Sequence, residues 1–139
     1  MRIGALEAGG TKMVCAVGDE TGMIFERTRI PTTMPEETLN ALVEWFQDKE
    51  IEALGIGCFG PVGSWRRQLE NLLDGITTTP KPGWAWCDMV GTFAGAGVSV
   101  GFDTDVNASV LGEVRFGQGR GLSTVLYLTV GPVSDWECI

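Results

Sequence analysis

Four consecutive residues near the start of the chain, Gly9-Gly10-Thr11-Lys12, hold the parts of an anion site. Two glycines carry no Cβ, so backbone N–H groups between them can come close to a phosphate. Thr11 adds a hydroxyl donor and Lys12 a positive charge. Glu7, just before the bend, offers a hard carboxylate that could hold Mg²⁺ directly or through water. The pattern is not the G-x-x-x-x-G-K-[ST] phosphate loop. An ordinary hairpin with Thr11 and Lys12 in solvent fits these few residues equally well.

A second acidic group with chemical potential lies in Gly101-Phe102-Asp103-Thr104-Asp105-Val106-Asn107. A carboxylate at a strand end, beside a helix N-terminus, can orient an attacking hydroxyl and take its proton in phosphoryl transfer. Asp105 is the candidate base and Asn107 its neighbour. Helix capping by Thr104 or Asp105 is the plainer reading of the same residues. Gly60-Pro61 ends an apolar run and would set backbone groups at the carboxyl edge of a sheet, where ligands of α/β folds bind; a tight turn is the plainer reading of these residues by themselves. Thr77-Thr78-Thr79-Pro80-Lys81-Pro82-Gly83-Trp84 offers hydroxyls such as Thr79, a cation and an indole face, all useful against a sugar. A stiff surface loop has the same composition.

The elements that must position these groups follow from periodicity. Residues 3–8 and 13–18 read as strands joined at Gly9-Gly10, where a tight primed turn calls for positive φ. Residues 23–30 form a third strand, and Pro31 to Pro35 a rigid break. Pro35-Glu36-Glu37 opens a helix whose apolar stripe is Leu39, Leu42, Val43 and Phe46. Residues 53–59 read as a buried parallel strand. Residues 62–84 show no periodicity, and a loop of that length in a compact domain is often functional. A short helix is expected over 86–96, a strand over 98–102, and a helix from Asp103-Thr104-Asp105 to Phe116. The glycines at 117, 119 and 121 stop that helix. Residues 124–130 read as a last strand with no evident partner. A strand meander followed by alternating strands and helices implies a mixed α/β sheet with flanking helices.

Composition narrows the function. The chain has 139 residues, 44% hydrophobic and 20% charged, enough for one ordinary domain. A net charge of −8 argues against nucleic acid and anionic membranes as partners. No apolar run approaches the roughly 20 residues that span a bilayer, and the first residues lack a signal-peptide pattern. Four cysteines without a C-x-x-C pair, and no histidine, give neither a zinc-finger spacing nor a disulfide framework. Cys15 and Cys58 fall in apolar strands and read as buried, inert thiols. The expected location is the cytoplasm.

Taken together, EAGGTK at Glu7 to Lys12, GCFGPV at Gly57 to Val62, TTTPKPGW at Thr77 to Trp84, FDTDVNASVLGE at Phe102 to Glu113 and LYLTVG at Leu126 to Gly131 resemble the ROK family of sugar kinases and sugar-responsive repressors. The likeness is greatest to its bacterial fructokinase branch. It implies the N-terminal lobe of a ribonuclease H-like fold, in the actin/hexokinase superfamily. It further implies Mg-ATP as cofactor, with Gly9, Gly10, Thr11 and Lys12 as the first phosphate loop and Glu7 as a metal-binding carboxylate where many relatives carry Asp. Asp105 becomes the base that activates the sugar hydroxyl. Gly60, Pro61, Thr79, Asn107 and Asp105 become the sugar contacts. The intact parent would convert fructose to fructose 6-phosphate and form a homodimer, and its zinc site would lie in a C-terminal half not present here.

The resemblance stops after Gly131. Relatives continue with a second phosphate loop, T-G-I-G-x-G, whereas this chain reads Pro132 to Ile139. Codons for that tail, moved by one base behind an added A, can read Thr-Gly-Ile-Gly-Leu-Gly, and the Leu-Gly step is nearly forced by the single tryptophan codon of Trp136. The expected organisation is therefore an ATPase-like lobe over 1–121, and over 122–139 the first strand of a truncated C-terminal lobe whose tail is out of frame from 132. A chain so divided would be inactive or weakly active alone. Two other readings fit: a fragment of a ROK repressor, against which the acidic start without a helix-turn-helix argues, and a folded fragment without catalysis.

Overall fold

The computed structural model describes residues 1–64, 74–95 and 97–129. Seven strands and three helices occur among them: β1 (Arg2–Ala8), β2 (Lys12–Asp19), β3 (Ile24–Pro31), α1 (Pro35–Gln47), β4 (Ala53–Cys58), β5 (Val62–Ser64), β6 (Asp74–Ile76), α2 (Gly91–Ala94), β7 (Ser99–Thr104) and α3 (Asp105–Phe116). Five strands form one sheet in the order β3-β2-β1-β4-β7, and β5 and β6 pair separately. The meander β1-β2-β3 is antiparallel, while β1, β4 and β7 run parallel. The mixed α/β sheet expected from the sequence is present. All three parallel strands end at the same edge, which collects the Gly9-Gly10 bend, the Gly60-Pro61 turn and the start of α3.

Strand alternation divides the sheet into unlike faces. On one face Leu6, Ala8, Met13, Cys15, Val17, Leu54, Ile56 and Cys58 are buried and meet Leu42 and Phe46 of α1. Ile76, Trp84, Met89 and Phe93 complete this core, with Phe46 and Phe93 edge to face at 6.0 Å. The other face carries Glu7, Gly57 and Asp103 in one row and Ala5, Gly55 and Gly101 in the next. Among the described residues only α3 covers it, and Ala5, Gly55 and Gly101 are exposed. Gly57 allows α3 to approach: a Cβ there would stand 2.7 Å from Ala108 Cβ.

Several local expectations change. The stripe of α1 is rotated, because Thr38, Leu42 and Phe46 are buried while Val43 points outward. Thr38 can enter the core since its hydroxyl accepts from Thr33 N–H at 2.9 Å. Residues 62–64 and 74–76 form a short hairpin where no periodicity was visible, as three-residue strands are too short to show one. The helix expected over 86–96 shrinks to Gly91–Ala94, held by Asp88, whose Oδ1 accepts from Gly91 N–H at 2.7 Å. Neither Gly9 nor Gly10 has positive φ. Gly9 is needed instead for close approach, since a Cβ there would lie 2.7 Å from Lys12 O.

The strand expected over 124–130 is not found in the described residues 124–129. Among the described residues no strand lies beside them to take their N–H and C=O groups, and Leu126 and Leu128 are 82% and 76% exposed. A β-pattern without a partner strand stays extended coil. The tail from 131 lies outside the described residues. Among those described, no helix is long and apolar enough to cross a membrane.

Candidate active site

The register of the parallel strands fixes the site. Glu7 pairs with Gly57, and Gly57 with Asp103, so both carboxylates stand on one face with a bare position between them. Two strand spacings, about 10 Å, separate their backbones. Ala8, Cys58 and Thr104 form the next row, and beyond them the chain turns into Gly9-Gly10, Phe59-Gly60 and Asp105. A recess of about 570 Å³ opens on this side, lined by Ala5, Glu7, Gly55, Gly57, Asp103 and Asp105 among others. Glu7 and Asp105, the two carboxylates singled out from the sequence, thus share one recess.

Hydrogen bonds separate the capping group from the candidate base. Thr104 is the N-cap of α3: its Oγ1 accepts from Asn107 N–H at 3.1 Å. Asp103 braces the same turn, its Oδ1 accepting from Thr104 N–H at 2.7 Å and from Asn107 Nδ2 at 2.8 Å. Asp105 is the first helical residue; among the described residues its carboxylate accepts from Val106 N–H alone, at 2.9 Å by Oδ1, while its carbonyl accepts from the Ser109 hydroxyl at 2.8 Å. The cap is therefore made without Asp105, whose carboxylate remains at the recess wall. Asn107 is exposed, and its amide is already engaged with Asp103.

The glycine bend is held from behind. Gly9 N–H donates to Lys12 O at 3.1 Å, closing the hairpin, so the N–H of Gly9 is spent. Among the described residues no acceptor pairs with the N–H of Gly10 or Thr11. Thr11 and Lys12 are exposed, the charge of Lys12 lying at the first residue of β2. Thr32 braces the bend: its hydroxyl donates to Gly9 O at 2.7 Å and its N–H to Thr11 O at 3.0 Å. Thr32 was not legible as a site residue, since one threonine in a proline-bounded break carries no periodic signal.

Of the sugar-side candidates, Asp105 lines the recess, whereas Gly60, Pro61, Thr79 and Asn107 do not. Pro61 O accepts from both the N–H and the hydroxyl of Thr77, at 2.9 and 3.0 Å, so this carbonyl is committed to the loop. Thr79 Oγ1 accepts from Lys81 N–H at 3.2 Å. The indole face expected to meet a sugar is absent from the surface: Trp84 is fully buried, packs edge to face on Phe59 at 5.7 Å and donates Nε1–H to Thr33 O at 2.9 Å. Its size makes it a better wedge under the loop than a platform above it.

Burial pushes the Cys58 thiol up to about 12, with the nearby Asp105 carboxylate adding to the effect. Cys15, buried in β2, is likewise pushed up to about 12 by desolvation. Both are protonated, unreactive core groups, as their apolar strands implied. Among the described residues Cys15, Cys58 and Cys87 are free, and no three acidic or cysteine side chains converge to hold a metal unaided. A single carboxylate at an open recess, as Glu7 provides, suits Mg²⁺, which keeps several waters and binds through one or two carboxylates plus phosphate.

Comparison with known proteins agrees with this geometry. The pattern of the ROK family matches residues 3–132. A relative in Bacillus subtilis (strain 168) is 45% identical over 130 residues, covering 93% of this chain and 43% of the relative. The fructokinase of Pediococcus pentosaceus is 41% identical over 132 residues, covering 94% of this chain and 45% of its own length. The chain thus spans less than half the length of these relatives. Among solved structures, a ROK family glucokinase from Streptomyces griseus in complex with glucose and AMPPNP superposes with a TM-score of 0.71 at 27% identity, over 87% of this chain and 38% of that one. With the strand register, the recess and a family match over nearly the whole sequence in agreement, this chain belongs to the ROK family.

Proposed function

We propose that this chain is the N-terminal lobe of an ATP-dependent hexose kinase whose substrate is fructose. The observation that carries the reading is the row Glu7–Gly57–Asp103, whose outer backbones stand about 10 Å apart and which brings the glycine bend and Asp105 to one sheet edge. A recess of that width leaves room between its walls for a phosphate and a sugar hydroxyl to meet with their reacting atoms about 3–3.5 Å apart. Asp105 takes the proton of the hydroxyl as its oxygen bonds to the γ-phosphorus, and the bond from that phosphorus to the bridging oxygen breaks to release ADP. N–H groups at Gly10 and Thr11, with the charge of Lys12, hold the phosphates. Glu7 holds Mg²⁺, which neutralises phosphate charge. Gly60, Thr79 and Asn107 border the sugar.

The fructokinase names of relatives at 38–45% identity support fructose over other hexoses. In this reading residues 1–121 are the ATPase-like lobe and residues from 122 begin a second lobe that supplies the remaining phosphate donors. The family match ends at residue 132, where the proposed change of frame begins. The lobe alone leaves its recess open to water, so it binds MgATP weakly and turns over little. The intact protein is proposed to work in the cytoplasm as a homodimer. The test is phosphorylation of fructose, glucose and mannose by a full-length protein containing this segment, with MgATP. Fructose should show the highest kcat/KM; no transfer to any hexose refutes the kinase reading, and preference for another hexose refutes fructose. Sequencing the DNA across codons 131 to 139 tests the frame.

A further inference from the structure

The segment between β3 and α1 touches both halves of the site and belongs to neither. Thr32 is one of two buried polar residues among those described, 8% exposed. Both its donors go to the glycine bend, at Gly9 O and Thr11 O. The next carbonyl, that of Thr33, accepts the indole N–H of Trp84. Trp84 is a wedge, fully buried against Phe59, next to Gly60. Gly83 beside it is in the left-handed region at φ 81°, and a Cβ there would meet Met34 and Pro35. Thr33 is fixed in turn by its N–H to Thr38 Oγ1, at the buried start of α1.

We infer that Thr32 and Trp84 are positioning residues that couple the sugar-side loop to the phosphate bend. The path runs from the 77–84 loop, through the indole N–H to Thr33 O, and from Thr32 to the carbonyls of Gly9 and Thr11. It holds the free N–H groups of Gly10 and Thr11 in the orientation an anion needs before the nucleotide arrives. The inference deepens the kinase reading and rests on it for its functional consequence, but the mechanical coupling stands on hydrogen bonds within this chain.

Amide hydrogen exchange, as protection factors at Gly9 and residue 32, whose N–H groups close the bend on Lys12 O and Thr11 O, tests it in the 139-residue chain, with amides of β1 reporting global opening. Thr32→Val removes the hydroxyl bond to Gly9 and should speed exchange at the bend about fivefold, the factor of one ordinary hydrogen bond. Thr32→Ser keeps that bond and should restore protection. Trp84→Phe removes the N–H from a side chain that never touches the bend, yet exchange there should rise by a similar factor. If Trp84→Phe does not fold, site-specific replacement of Trp84 by its sulfur isostere benzothienylalanine removes the same N–H with the shape kept. Unchanged exchange at residues 9 and 32 with a faster 77–86 loop overturns the coupling. In a full-length kinase the same changes should raise KM for ATP about fivefold with little change in kcat, since the competent bend is populated less often. Failure of that kinase to phosphorylate any sugar sinks the proposed function, while the exchange result still decides the coupling.

Discussion

Gly57→Ala is the sharpest perturbation the structure offers, because its cost can be worked from a distance. The new methyl would sit 2.7 Å from Ala108 Cβ and 3.4 Å from Asp105 Cα. Carbon atoms rest at about 3.5–4.0 Å, so α3 must retreat from β4 by about 1 Å. Overpacking of this kind costs about 1–3 kcal/mol, which should lower the urea midpoint of the 139-residue chain by roughly 1 M. The shift is applied at the first turn of α3, which carries Asp105. A misplacement of about 1 Å should reduce kcat about 100-fold in a full-length kinase. Ala108→Gly costs about 1 kcal/mol by itself through helix propensity, but in the double variant it removes the opposing methyl. The double variant should therefore be more stable than the sum of the singles predicts, by about 1 kcal/mol or more. Gly55→Ala, two residues away on the same face with nothing within 4 Å, is the control and should leave stability unchanged or slightly raised. Gly57→Ala as stable as the parent, or strict additivity with Ala108→Gly, would refute the close-approach argument.

Other outcomes can be checked with equal directness. Asp105→Asn in a full-length kinase should lower kcat by about 10²- to 10⁴-fold while moving stability by less than about 1 kcal/mol, since Thr104 makes the cap; kcat with a parallel thermal melt checks both. Thr104→Ala should cost the chain about 1 kcal/mol in urea unfolding, as Asn107 N–H loses its acceptor. The buried thiols make stability depend on alkaline pH. An unfolded thiol ionises near 9.0, whereas Cys15 and Cys58 hold their protons to about 12. Between those values the unfolded state binds fewer protons, so stability falls as pH rises, by about 1.4 kcal/mol per unit per thiol. Urea titrations at pH 8 and 10.5 under reducing conditions should show this, with a shallower slope for Cys15→Val.

Strong local patterns made much of the fold legible in the sequence. The meander, the helix after Pro35 and the helix after Thr104 each have period, breaker and boundary in agreement, and each lies within a residue or two of its expected limits. What was hidden depends on long-range packing. The outward turn of Val43 follows from Thr38 finding a donor at Thr33, a contact no periodicity shows. Trp84 looked like a sugar platform because its neighbours are turn residues, yet the core beneath Phe59 needed its bulk. Residues 124–129 have the pattern of a strand, but pattern alone cannot supply the neighbour that a strand needs. In the candidate site, Glu7, the glycine bend and Asp105 were legible as types. Their common edge and the brace at Thr32 required the register.

That register also sets an order of events during synthesis. Glu7 meets Gly57 across a gap of fifty residues, and Gly57 meets Asp103 across forty-six more. The hairpin of β1 and β2 can close as soon as it leaves the ribosome, but the two acidic walls face each other only once residue 104 has emerged. Contacts of such separation form late and pay loop-closure entropy first. A nascent chain halted before β7 would thus display a finished glycine bend with no second acidic wall opposite it.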